Sequence, residues 1–92
     1  MYNVFIRKLI KLNFYLSEQI DEDNWYFHKE NIVLCLTSPH KGTDFKWMLR
    51  ADTKEEFDRW SNAQFEMYFN TPGEFEDVLK ELDYFIKYGY ED

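Results

Sequence analysis

The sequence predicts an α+β domain: a four-stranded, mainly antiparallel sheet packed on one face by two helices. Three observations lead there. Alternating or short apolar runs dominate the first fifty residues, and helical spacing dominates the rest. The links between the apolar runs are two to seven residues long, enough for antiparallel neighbours and too short for parallel crossovers. Strands grouped ahead of helices favour α+β over an alternating parallel arrangement. At 92 residues the chain is one domain with a small core.

Over residues 2–17 the even positions Tyr2, Val4, Ile6, Ile10, Leu12, Phe14 and Leu16 are apolar, and the odd positions are mostly polar. This alternation predicts a strand; the competing reading is a helix over 4–10 followed by a strand over 11–17. Arg7, Lys8 and Lys11 make this the one net-basic element. They read as a solvated face, a charge-protected edge, a nucleic-acid contact carried by only three charges, or cations lying near the acidic C-terminal helix. Residues 18–24, with Asp21-Glu22-Asp23, read as a turn. They lack the alternating ligands, central glycine and distal glutamate of a calcium loop. Strands follow at 25–29, 32–37 and 45–50, the first two joined through Lys29-Glu30-Asn31 and the last two by a Pro/Gly-punctuated loop.

Thr53-Lys54-Glu55-Glu56 has the form of a capping box and predicts a helix over 53–62 or longer. Residues 63–70 continue that helix or form a short extended segment. The clearest helix spans 72–88. Thr71 is its cap, Pro72 suits the first position, Glu74 can reach back to Thr71, and Gly89 fits the left-handed stop. Phe75, Val78, Leu79, Leu82, Phe85 and Ile86 form its apolar stripe. One flank carries Glu76–Lys80 and Asp83–Lys87, acid-first pairs four apart that neutralise themselves. The other flank carries Glu74, Asp77, Glu81, Tyr84 and Tyr88, with no cation of its own.

The charge is as uneven as that helix. The net charge is −7; residues 1–46 hold six basic and six acidic side chains, and 47–92 hold five basic and twelve acidic. A field of this sign repels nucleic acid and attracts basic surfaces. No stretch approaches the roughly 18 apolar residues of a membrane span, and the basic N-terminal run lacks the form of a signal peptide. The single Cys35 excludes an internal disulfide and suits a reducing compartment, so a cytoplasmic location is expected.

No pattern for a reaction, cofactor or metal is present. There is no GxGxxG, phosphate loop, HExxH or GxSxG. His28, Cys35 and His40, at spacings of seven and five, match no zinc pattern, and Cys35 sits inside an apolar strand as an inert thiol would. The expectation is a non-enzyme without cofactors.

Binding features are stronger. Carboxylates spaced along the Glu74, Asp77, Glu81 flank imitate a line of phosphates, and Tyr84 and Tyr88 add stiff amphipathic area. That flank stays available unless Arg50, Lys54 or Arg59 covers it. Trp25-Tyr26-Phe27 places at least one ring away from a one-sided core. Trp25 and Tyr26 are therefore a secondary partner contact, or with Phe27 and Trp47 the interface of a homodimer.

In size, charge and aromatic content the chain resembles two groups of small acidic proteins. One is phage-encoded inhibitors of bacterial defence, the anti-CRISPR and DNA-mimic proteins. The other is the immunity proteins that neutralise nuclease toxins. The likeness covers no particular residues. It implies a protein inhibitor whose partner is a basic, nucleic-acid-handling protein, with no nucleic acid or membrane bound directly.

Overall fold

The computed structural model describes residues 4–39, 46–57 and 63–88. It is α+β, with five strands where four were expected. In chain order the elements are helix α1 (Val4–Lys11), strands β1 (Tyr15–Asp21), β2 (Asn24–Lys29), β3 (Ile32–Thr37), β4 (Trp47–Thr53) and β5 (Phe65–Phe69), and helix α2 (Pro72–Tyr88). The strands form one antiparallel meander in the order β1-β2-β3-β4-β5.

The N-terminal segment is the first correction. The strand expected over 2–17 is a helix followed by a strand. The buried residues Phe5, Ile6 and Leu9 follow helical spacing, and the even-numbered Val4 and Ile10 are exposed. The helix stops at Asn13, whose φ of 72° is left-handed. Asn13 N donates to Ile10 O at 2.9 Å and Phe14 N to Leu9 O at 3.1 Å, the two bonds of a Schellman stop. Leu9 and Phe14 then share the core. Asn13 before an apolar residue was the one local signal for this stop, and the alternation masked it. The turn expected over 18–24 shrinks to Glu22-Asp23, because β1 runs on to Asp21.

The second correction concerns residues 53–70. The capping bonds at Thr53 do form: Glu56 N reaches Thr53 Oγ1 at 3.3 Å, and Phe57 N reaches Thr53 O at 2.9 Å. They close a turn at Lys54–Glu56 rather than start a helix, because Thr53 is still paired with Ile32 in the sheet. The rest of the expected helix, 58–62, lies outside the described residues, as does Phe45 at the head of the expected fourth strand. Residues 65–69 take the extended alternative as β5.

The sheet has two different faces. Trp25 and Phe27, Leu34 and Leu36, Leu49 and Ala51, and Phe65 and Phe69 point to one side, where α1 and α2 cover them. Phe75 meets Phe5 at 5.0 Å and Phe69 at 4.7 Å, so one ring cluster joins both helices to β5. α1 also packs on β1, and Lys8 forms an ion pair with Glu76 across the seam between the helices. α2 lies along β5, with Phe69 under Phe75 at one end and Phe65 under Phe85 at the other. On the second face Glu18, Tyr26, Cys35, Arg50 and Glu66 form a row across all five strands. Phe57 folds over its centre, with Tyr26 edge-on at 5.8 Å and the Arg50 guanidinium 5.7 Å from its ring.

Candidate functional site

α2 positions the predicted flank. Its buried residues Phe75, Val78, Leu82 and Phe85 anchor one side of the helix, each worth roughly 1.5–3 kcal/mol of burial. Glu76 and its pairing with Lys8 mark the side turned towards α1. On the wheel Glu74 and Glu81 lie on the opposite side, with Asp77, Tyr84 and Tyr88 next to them. Since β5 is the last strand of the sheet and α2 lies along it, this side overlooks the sheet margin.

All five predicted residues are exposed, but they are not equivalent. Glu74 is engaged in capping. Its Oε1 accepts from Asn70 N at 2.6 Å and Thr71 N at 3.2 Å, and Glu74 N donates to Thr71 Oγ1 at 3.1 Å. The Asn70 bond, then the Thr71 bond, and a smaller attraction from Lys46 hold its carboxyl below the ordinary value of 4.5. A carboxyl depressed in the folded state stabilises the fold when ionised. That contribution is complete above pH 4.5 and is lost as pH falls through the lower folded value. Thermal melts between neutral and acidic pH should therefore converge for wild type and Glu74→Gln at low pH, with wild type the more stable near neutrality.

Asp77 and Glu81 have no such duty. Among the described residues neither meets a cation, and the cations named as candidates to cover them are elsewhere or undescribed. Arg50 is on the other face of the sheet at 9% exposure, Lys54 is in the turn after β4, and Arg59 is outside the described residues. Tyr84 and Tyr88 are 61% and 62% exposed and pack on each other, with ring centroids 4.8 Å apart. Two carboxylates and a preassembled pair of rings thus share one open surface. The opposite flank is self-satisfied in a changed way: Asp83 pairs with Lys87 at 3.2 Å as expected, while Glu76 takes Lys8 instead of Lys80.

The secondary pair is taken up inside the fold. Trp25 is half-buried and stacks on Trp47 at 6.3 Å. Tyr26 points to the second face and is buried beneath Phe57. The reading missed two groups there. Asp52, 3% exposed, accepts from Thr53 N at 2.8 Å and from Gln64 N at 3.1 Å. It ties the end of β4 to the start of β5, and no sequence pattern announces it. Tyr68, 54% exposed on β5, donates to Glu66 Oε2 at 2.7 Å. That bond, then desolvation, holds its phenol above the ordinary value.

The groups considered for metal or thiol chemistry have ordinary surroundings where they are described. Cys35 is fully buried beside Thr37 Oγ1 at 3.6 Å, His28 packs on Tyr15 at 5.7 Å, and His40 is outside the described residues. Among the described residues no three His, Cys, Asp or Glu side chains converge on one point, and no helix is long and apolar enough to cross a membrane. Compared with known proteins, the chain matches no family model, no curated protein and no solved structure.

Proposed function

We propose that this is a non-enzymatic inhibitor that docks the Asp77, Glu81, Tyr84, Tyr88 surface of α2 on a basic protein that handles nucleic acid. The observation that carries the reading is the surface itself. Its two carboxylates have no cation among the described residues, and its two rings are exposed yet already packed together. Neither feature serves the fold. The acidic excess of residues 47–92 supplies a field that draws a basic partner in. Asp77 and Glu81 steer and pair with its arginines and lysines, and Tyr84 and Tyr88 fill the contact centre with little side-chain entropy to lose. Glu74 contributes charge but stays committed to its cap. The bulk likeness to anti-CRISPR and DNA-mimic proteins supports a role in phage anti-defence, acting in the host cytoplasm.

The test is affinity capture with wild type and with the double variant Asp77→Lys/Glu81→Lys, followed by association kinetics across salt concentrations. A basic nucleic-acid-binding protein should be captured by wild type. The variant, with unchanged circular dichroism, should associate at least about tenfold more slowly and lose most of the salt dependence. An unchanged rate and salt slope would place the contact elsewhere.

A further inference from the structure

The two margins of the sheet differ. β1 carries register shifts between Leu16 and Glu18 and between Gln19 and Asp21, bulges that blunt an edge against strand pairing. β5 has five residues in unbroken register with β4, and contains no proline and no lysine.

The direction of its backbone groups follows from the tight turn between β2 and β3. Lys29 and Ile32 close a two-residue turn and so form a hydrogen-bonded pair. From there the pattern alternates. Residues 32, 34 and 36 address β2, so 33, 35 and 37 address β4. Through Val33–Asp52, Cys35–Arg50 and Thr37–Met48, residues 48, 50 and 52 address β3. Trp47, Leu49 and Ala51 are left for Phe69, Met67 and Phe65. The N–H and C=O of Glu66 and Tyr68 therefore point outward. Their flanking amides are occupied, Gln64 N by Asp52 and Asn70 N by Glu74. Among the described residues the margin is left with two outward donors and two outward acceptors, at Glu66 and Tyr68.

We propose that this margin receives an extended basic segment of the partner as a sixth strand, paired to Glu66 and Tyr68. The strand geometry stands on the β5 register; the charge of the occupant rests on the function proposed above. Glu66 lies on one side of the added strand, and Asp77 and Glu81 of α2 overlook the other. Of the described cations, Lys46 lies near Glu74, and Arg50 is paired beside Glu66 in the sheet. A second copy of this chain fits less well, because pairing β5 with β5 brings both acidic margins together in a chain of net charge −7. Backbone bonds supply affinity in strand addition, and the flanking side chains select the sequence.

The experiment uses the intact protein labelled with ¹⁵N and a heptapeptide alternating lysine and valine. Binding should slow hydrogen exchange at the Glu66 and Tyr68 amides and shift the Asp77 and Glu81 resonances. Tyr68→Pro removes one outward N–H while leaving the bonds to β4, a place where a sheet margin accepts proline. It should weaken binding by about tenfold, the size of one or two lost hydrogen bonds. Tyr68→Ala, which keeps the N–H, should bind within about threefold of wild type on the same scale. A lysine–valine peptide N-methylated at alternate residues repeats the test without altering the protein, and should give no protection. Shifts confined to α2 with unchanged exchange at Glu66 and Tyr68, or no protection with peptide in large excess, overturn strand addition and leave the α2 surface standing. Equal binding of a glutamate–valine peptide overturns the basic occupant and the α2 reading with it. Protection that grows with protein concentration in the absence of peptide overturns it in favour of a second copy.

Discussion

Phe75→Ala should lower stability by about 3–5 kcal/mol, a large part of the total for a domain of this size. Phe75 is fully buried and is the ring through which α2 grips both neighbours. It meets Phe5 of α1 and Phe69 of β5, which meet each other at 4.9 Å. Phe5 continues the cluster to Trp47 at 5.0 Å. Truncation leaves a void bordered by rigid rings, which cannot collapse into it as flexible side chains would. The measurements are guanidinium denaturation and thermal unfolding, with the midpoint falling by about 15–30 °C. Tyr84→Ala on the same helix should stay within about 0.5 kcal/mol of wild type, because its ring is 61% exposed and packs on the equally exposed Tyr88. If Tyr84→Ala proves as damaging as Phe75→Ala, Tyr84 is a structural residue and the docking surface loses its centre.

Asp52→Ala should cost about 2–4 kcal/mol. Both carboxylate oxygens are in use, one on Thr53 N and one on Gln64 N, in a place almost closed to water. Removing them leaves two part-buried donors without their acceptors, and alanine offers nothing in return. Asp52→Asn should fall between, since the amide oxygen can keep only one of the two bonds. Chemical denaturation gives the loss, and faster hydrogen exchange at Thr53 and Gln64 locates it. Normal exchange at those two amides in Asp52→Ala would show that the carboxylate does not hold the connection. Because Asp52 ties down the start of β5, the same substitution should weaken any partner that reads the β5 margin.

Thr53 and Thr71 show how far local chemistry reaches. Both begin a threonine–glutamate capping pattern, and both make its bond to the third amide. At Thr71 the pattern opens a helix, because Phe75, Val78, Leu82 and Phe85 follow at helical spacing and find a sheet to cover. At Thr53 the same bond closes a turn, because the residue is still held in the ladder opposite Ile32. The N-terminal segment reverses the lesson. Its alternation was real, yet burial of Phe5, Ile6 and Leu9 against α2 and β5 selected the helix, with Asn13 to end it. A short segment that fits two periods is decided by which face finds a partner, and that partner lies more than fifty residues away.

Residues close in sequence carry α2 from Pro72 to Tyr88, its cap, its stripe and its two unlike flanks. They also carry the uneven charge and the absence of any catalytic pattern. These are local or compositional properties, readable without knowing what the chain packs against. The meeting of Glu76 with Lys8, the burial of Arg50 beneath Phe57, the double duty of Asp52 and the outward direction of the Glu66 and Tyr68 N–H groups belong to the tertiary structure. Each depends on sheet order and register, which set which residues of distant segments come within a few ångströms. That is why the sequence could name the acidic, tyrosine-bearing flank of α2, and only the folded chain could set it beside the last strand of the sheet.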